Sequence, residues 1–216
     1  MDDSGLSKDE IEAGRRLFAA EWRFVAGAGS VQSLPPPAGV EIALAGRSNA
    51  GKSSLLNALT NRRALARVSK TPGRTREINF FTGDGLTIAD LPGYGFASAP
   101  RGKIHRWTGL VRHYLGGRPN LARVFVLIDS RHGLKPQDRE VLGSLDRAAV
   151  SYAIVLTKID AIKAQTKTRV AETEAAIERR PAAFPTVFAV SSFDGGGIAE
   201  LRGAIARLLA ERGAGS

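Results

Sequence analysis

Between Gly46 and Ser53 the chain reads GRSNAGKS, directly after the apolar stretch VEIALA. Two glycines with four residues between them, then a lysine and a hydroxyl, form the G-x-x-x-x-G-K-S pattern of a phosphate-gripping loop between strand and helix. The glycines let the backbone curl, so that successive N–H groups from Gly46, Arg47, Ser48, Asn49, Ala50 and Gly51 can point at phosphate oxygens. The helix that follows adds its positive N-terminal end. Lys52 would reach the β- and γ-phosphates of a nucleotide, and the Ser53 hydroxyl would ligate Mg²⁺.

Three further boxes bear on which nucleotide is held. TKID, Thr157 to Asp160, closes the apolar run YAIVL. A carboxylate at Asp160 can accept hydrogen bonds from guanine N1–H and the exocyclic amine, donors that adenine does not offer in that arrangement. The Lys158 stem can lie along the purine face, with Ile159 between the two. DLPG comprises Asp90, Leu91, Pro92 and Gly93. Asp90 would hold Mg²⁺ through water, and the Gly93 amide would sense the γ-phosphate. SSFDGG follows FAV; Ser192 N–H can meet guanine O6, with Val190 and Ser191 completing that loop. Taken singly, TKID, DLPG and SSFDGG are common sequences; their order is the informative feature.

These boxes need a frame. The chain has 216 residues, 43% hydrophobic and 24% charged, enough for one core. Continuous apolar strands are expected at VEIALAG, REINFF, GLTIAD, ARVFVLID, SYAIVLT and PTVFAVS, with Gly83-Asp84-Gly85 turning a hairpin. Helices are expected at Lys8–Ala20, Lys52–Leu59, Gly102–Leu115, from Pro136, across 162–180, and from Ile198 through Leu201, Ile205, Leu208 and Leu209. The pattern predicts an α/β fold with a mostly parallel six-stranded sheet covered by helices on both faces. Ligands of such sheets lie beyond the carboxyl ends of the strands, and each box follows a strand. Residues 1–39, with AGAGS and LPPPAG read as loop, form an expected N-terminal extension to a domain spanning 40–212.

Composition excludes other chemistry. With no cysteine there is no disulfide, thiolate metal site or cysteine nucleophile, and a cytoplasmic location is expected. No apolar run is long enough for a membrane span, and the acidic start MDDSG does not suit a secretory signal. A net charge of +10 favours a polyanionic partner.

The order GRSNAGKSS, KTPGRTREINFF, DLPGYGFA, TKID, SSFDGGG resembles the YihA/EngB/YsxC family of bacterial Ras-like GTPases, among the TrmE-Era-EngA-EngB-septin-like GTPases. The similarity runs from FVAGAG to the last helix. It implies a P-loop NTPase fold of the Ras-like G-domain type that binds GTP and hydrolyses it to GDP with Mg²⁺. It further implies a monomeric switch acting on the large ribosomal subunit precursor, its rRNA and ribosomal proteins, with a link to cell division and septation. By this resemblance PGRT is the first switch. Thr75 becomes a Mg²⁺ ligand, and Gly73, Arg74, Thr75, Arg76 and Glu77 wrap the nucleotide. The residues alone leave Thr71 as a rival to Thr75. Arg76 stands where a polar uncharged residue is expected, and Thr157 replaces the asparagine of most GTPases. Lys52, Thr75, Gly93 and Asn49 are the implied catalytic set. Tyr94 stands where Ras-like enzymes place a water-orienting glutamine. It is read as a packing residue, so hydrolysis is expected to be slow. In related GTPases an asparagine at the position of Asn49 helps hold a potassium ion; fixing the loop geometry is the alternative. Arg101, Lys103, His105 and Arg106 with Trp107 suit either a nucleotide-dependent RNA contact or a solvated helix start. Competing readings are a division regulator acting through a protein partner, and a P-loop kinase or ATPase, which has no use for TKID.

Overall fold

Ser7 and Glu10 open the first helix as a reciprocal cap: Glu10 N–H donates to Ser7 Oγ at 3.1 Å and Ser7 N–H to Glu10 Oε2 at 2.7 Å. The computed structural model describes residues 5–62, 65, 77–94 and 101–213, with backbone alone for 101–108. The helices are α1 (Lys8–Ala19), α2 (Lys52–Thr60), α3 (Arg101–Gly117), α4 (Pro136–Arg147), α5 (Thr166–Ile177) and α6 (Ile198–Gly213). The strands are β1 (Arg23–Ala28), β2 (Val40–Gly46), β3 (Ile78–Gly83), β4 (Leu86–Asp90), β5 (Leu121–Asp129), β6 (Tyr152–Thr157) and β7 (Phe188–Ala189).

They form one sheet in the order β1-β3-β4-β2-β5-β6-β7. The pairs β1/β3 and β3/β4 are antiparallel and the remainder parallel. Side-chain alternation sends Ile42, Leu44, Phe125, Leu127, Ala153 and Val155 toward α1, α2 and α6. Ala43, Ala45, Val124, Val126, Ile154 and Leu156 face α3, α4 and α5 instead. Burial on both faces is why these strands read as unbroken apolar runs. The β3–β4 turn is Asp84-Gly85, both at positive φ (44° and 77°), the two-residue hairpin form. Among the described residues no helix is long and apolar enough to cross a membrane.

The sheet has seven strands, not the expected six. RFVAGA of the N-terminal segment pairs with β3, from Arg23↔Thr82 to Ala28↔Ile78. Its glycine and alanines suggest a loop, yet all three pair with β3; a Cβ on Gly27 would come within 2.5 Å of Glu77 Oε2. Within that segment, residues 23–28 thus supply the outermost strand of the sheet. α1 also crosses α6 with almost no space between backbones, since a Cβ on Gly14 would meet the Arg202 carbonyl carbon at 2.4 Å. Two further spans are shorter than expected. Helix α5 starts at Thr166, after two short 3₁₀ turns, and β7 pairs with β6 over two residues.

At the end of β2 away from the GRSNAGKS loop, Glu41 is 0% exposed and forms a two-point ion pair with Arg118, which is 6% exposed. Arg118 Nε and Nη2 donate to the two carboxylate oxygens, each at 2.8 Å. Tyr114 Oη donates to Oε1 at 2.7 Å, and Arg118 Nη1 donates to Pro35 O at 2.7 Å. The cluster clamps the end of α3 and the proline-rich linker to the first residues of β2.

Candidate nucleotide site

β2 ends at Gly46 in the middle of the sheet, between β4 and β5. The loop that follows curls tightly: Ala50 N–H donates to Arg47 O at 3.0 Å, and Asn49 and Gly51 take left-handed φ of 67° and 94°. Asparagine and glycine adopt that region most easily. α2 then starts at Lys52, and Lys52 Nζ folds back across the loop to donate to Gly46 O at 3.3 Å. Ser48 Oγ is buried without a hydrogen-bond partner among the described residues. A buried hydroxyl left so suits a loop built around a polar ligand.

The DLPG turn lies against this loop. Leu44 pairs with Asp90 in register, so the buried Asp90 carboxylate sits beside the strand that leads into the loop. Leu91 N–H donates to Leu44 O at 2.9 Å. A Cβ on Gly93 would stand 3.0 Å from Ser48 Oγ and 3.2 Å from Lys52 Nζ, so Ser48, Lys52 and Gly93 converge. Tyr94 is 8% exposed and donates through Oη to Asp138 Oδ1 at 2.8 Å. Burial, then the neighbouring Asp138 charge, pushes its hydroxyl far above the usual tyrosine range. A phenol that keeps its proton is a donor, not a base, in line with the packing role.

β6 delivers the TKID box to the same edge. Thr157 Oγ1 donates to Ala50 O at 2.8 Å, tying the end of β6 to the phosphate loop. The residue that replaces asparagine thus braces the loop. Lys158, at a left-handed φ of 60°, donates through Nζ to Asn49 O at 2.7 Å and to Asp129 Oδ2 at 2.8 Å. Its stem spans from the end of β6 to the loop. Asp160 Oδ1 accepts from Ser191 Oγ at 2.7 Å. That serine is buried, and its Oγ also accepts Phe193 N–H at 3.2 Å and Asp194 N–H at 3.3 Å. Val190 N–H donates to Leu156 O at 2.8 Å and Ile159 N–H to Val190 O at 3.4 Å, which holds the SSFDGG loop, including Ser192, beside TKID.

Two groups at this edge escaped sequence reasoning. Asp129 ends β5 and accepts Arg131 Nε at 2.9 Å, Arg131 Nη2 at 2.7 Å and Lys158 Nζ at 2.8 Å. Burial works to raise its pKa, but the hydrogen bonds from Arg131 and Lys158 prevail and hold it well below the ordinary carboxylate range. The available signal was an acid closing an apolar strand, as in the other boxes. Asp138, inside the predicted α4, gave none.

Not every expected residue comes to the loop. Glu77 lies toward the β1 edge with its carboxylate over Gly27. Thr71, Gly73, Arg74, Thr75 and Arg76 lie outside the described residues, as does 95–100, so the proposed third Mg²⁺ ligand is not placed. Arg101, Lys103, His105, Arg106 and Trp107 lie on the first turns of α3, where the backbone alone is described.

Residues 41–158 match the family model described as 50S ribosome-binding GTPase. A probable GTP-binding protein EngB of Bradyrhizobium diazoefficiens is 59% identical over 206 residues, spanning 94% of this chain and 95% of the relative. That of Afipia carboxidovorans is 57% identical over 214 residues, spanning 94% and 96%. A crystal structure of a probable GTP-binding protein EngB shares the fold at TM-score 0.62 and 24% identity, covering 80% of this chain and 100% of that one. A loop closed over by Gly93 and joined to TKID by Thr157 and Lys158, within that sheet order, agrees with these likenesses, and the chain belongs to the EngB family of P-loop GTPases.

Proposed function

We propose that this chain binds GTP, hydrolyses it slowly to GDP with Mg²⁺, and acts as a nucleotide-controlled switch in assembly of the large ribosomal subunit. The observation that carries the reading is the join between the two halves of the site. Lys158 bonds to Asn49 of the phosphate loop while Asp160, two residues on, is oriented by Ser191. One ligand with a phosphate tail and a guanine head fits both. The relatives' names as GTP-binding proteins support it, and the family description together with the +10 charge supports a ribosomal partner. In this reading the protein works as a cytoplasmic monomer, and normal division and septation depend on the ribosomal step.

The Ser53 hydroxyl, in the first turn of α2, and the Asp90 carboxylate, at the end of β4, are hard oxygen donors that follow the paired strands β2 and β4. They suit Mg²⁺, which keeps much of its shell as water and phosphate oxygen. When bound, the ion would neutralise charge on the phosphates. Lys52 would add a fixed cation and the loop amides would cradle the β-phosphate. Gly93 N–H would meet the γ-phosphate, while Tyr94 takes no proton. Thr75 completes the Mg²⁺ ligands in this proposal, with Gly73–Arg76 around the nucleotide. We assign Asn49 to a potassium ion beside the phosphates, so replacing potassium by sodium lowers turnover, and Asn49→Ala loses that dependence.

Titration calorimetry tests the core of the proposal. Asp160→Asn should weaken GDP binding by tenfold or more and gain affinity for xanthosine diphosphate, whose 2-oxo group suits an amide donor. Unchanged preference would remove the guanine reading. Sedimentation of ribosomal particles with a non-hydrolysable GTP analogue and with GDP tests the partner: co-migration with large-subunit precursors should depend on the analogue and weaken with salt.

A further inference from the structure

Tyr94 is tied to the phosphate loop through its backbone. Its N–H donates to Gly46 O at 3.3 Å, Ser48 N–H donates to its carbonyl at 3.1 Å, and Arg47 and Tyr94 form a parallel bridge. This holds Gly93 down, with a Cβ there only 3.0 Å from Ser48 Oγ and 3.2 Å from Lys52 Nζ. Groups that would face phosphate are bonded to the protein itself: Ser48 N–H to Tyr94, and Lys52 Nζ to Gly46 O. A phosphate gripped by Lys52 and met by Gly93 N–H needs room for its oxygens between the two. A single carbon added at Gly93 would already touch Ser48 Oγ and Lys52 Nζ, so phosphate oxygens placed between Gly93 and Lys52 require Gly93 to yield.

What resists is on the far side of Tyr94. Its Oη reaches Asp138, 44 residues on in sequence, at 2.8 Å. Asp138 is 1% exposed, and its other oxygen accepts Lys135 N–H at 2.8 Å, capping α4. One buried carboxylate therefore joins the segment over the phosphate loop to the first turn of a helix. A hydrogen bond to a buried charge belongs to the stronger class. Neither phosphate nor guanine recognition has a use for Asp138.

We propose that Asp138 is a positioning residue for nucleotide discrimination: through Tyr94 it latches Gly93 onto the phosphate loop, and an incoming γ-phosphate must release that latch and disturb the α4 cap. The inference rests on reading Gly46–Ser53 as the nucleotide loop. By linkage, a ligand that disturbs the start of α4 favours the γ-phosphate state to the same extent.

The test uses the full chain at fixed Mg²⁺ and measures dissociation constants for GDP and a non-hydrolysable GTP analogue. Tyr94→Phe keeps the ring and deletes the hydroxyl. Asp138→Asn keeps an acceptor for Lys135 N–H and turns a neutral amide donor toward Tyr94 Oη in place of the charged acceptor. The analogue-to-GDP ratio should fall about tenfold in Tyr94→Phe and about threefold in Asp138→Asn. Amide exchange across Lys135–Arg139 should be faster with the analogue than with GDP in the wild type, and equal with both in Tyr94→Phe. A merely structural role would move melting temperature without moving the ratio. Ratios within twofold of wild type in both variants would overturn the latch alone. Wild-type protein that binds neither nucleotide would overturn the latch and the site reading together.

Discussion

Replacing Arg118 by methionine should destabilise the fold severely and leave the nucleotide site intact. Methionine keeps an apolar stem against the Phe80 and Tyr114 rings, over which the guanidinium sits at 5.5 and 6.0 Å. It removes both hydrogen bonds to Glu41 and the one to Pro35 O. Glu41 at 0% exposure then keeps Tyr114 Oη and loses its counter-ion. Stranding one member of a buried pair costs about 3–5 kcal/mol. In a chain of this size each kcal/mol lowers the melting temperature by about 2–4 °C, so a fall of ~6–20 °C is expected. Calorimetric melting of wild type, Arg118→Met and Arg118→Met with Glu41→Gln measures it. The double variant should recover some of the loss, because a neutral amide is cheaper to bury. Glu41 lies five residues before Gly46, about 16 Å along an extended strand, so the GDP dissociation constant should stay within twofold. A fall below about 3 °C, or a double variant worse than the single, would refute the account of a stranded charge.

Gly93→Ala should cut affinity for a GTP analogue at least tenfold by titration calorimetry, because the methyl would stand 3.0 Å from Ser48 Oγ and 3.2 Å from Lys52 Nζ. Asp129 has a folded pKa below its unfolded value of about 3.9, so its stabilisation is complete well above that pH, begins to fall near it and is lost as pH falls on through the folded pKa. Urea midpoints between pH 5 and 3 should therefore decline less steeply in Asp129→Asn than in the wild type. Gly14→Ala must push apart backbones that leave a Cβ 2.4 Å from Arg202, so it should cost about 1–3 kcal/mol in urea unfolding.

The phosphate loop was legible because strand, glycine spacing, lysine and hydroxyl are consecutive. The sheet's parallel half was legible because burial on both faces leaves apolar runs that polar residues do not interrupt. β1 was hidden by its own composition: Ala26, Gly27 and Ala28 pair with β3, but glycine among alanines reads locally as a loop. Asp129 and Asp138 were hidden for another reason. Each acquires its meaning from a partner far along the chain, Asp129 from Lys158 and Asp138 from Tyr94. Thr157 likewise takes its place from a distant partner, since its hydroxyl donates to the Ala50 carbonyl.

The edge strand and the α1–α6 crossing bear on how the protein can be cut. A fragment begun at Val40 would open the β3 rim, baring a row of unpaired peptide groups, and would uncover the groove on α6 where Gly203 meets Glu10 and Ile11. Such a seam invites strand-to-strand aggregation. Trimming this protein to its motif-bearing core would therefore give a sticky product rather than a minimal enzyme.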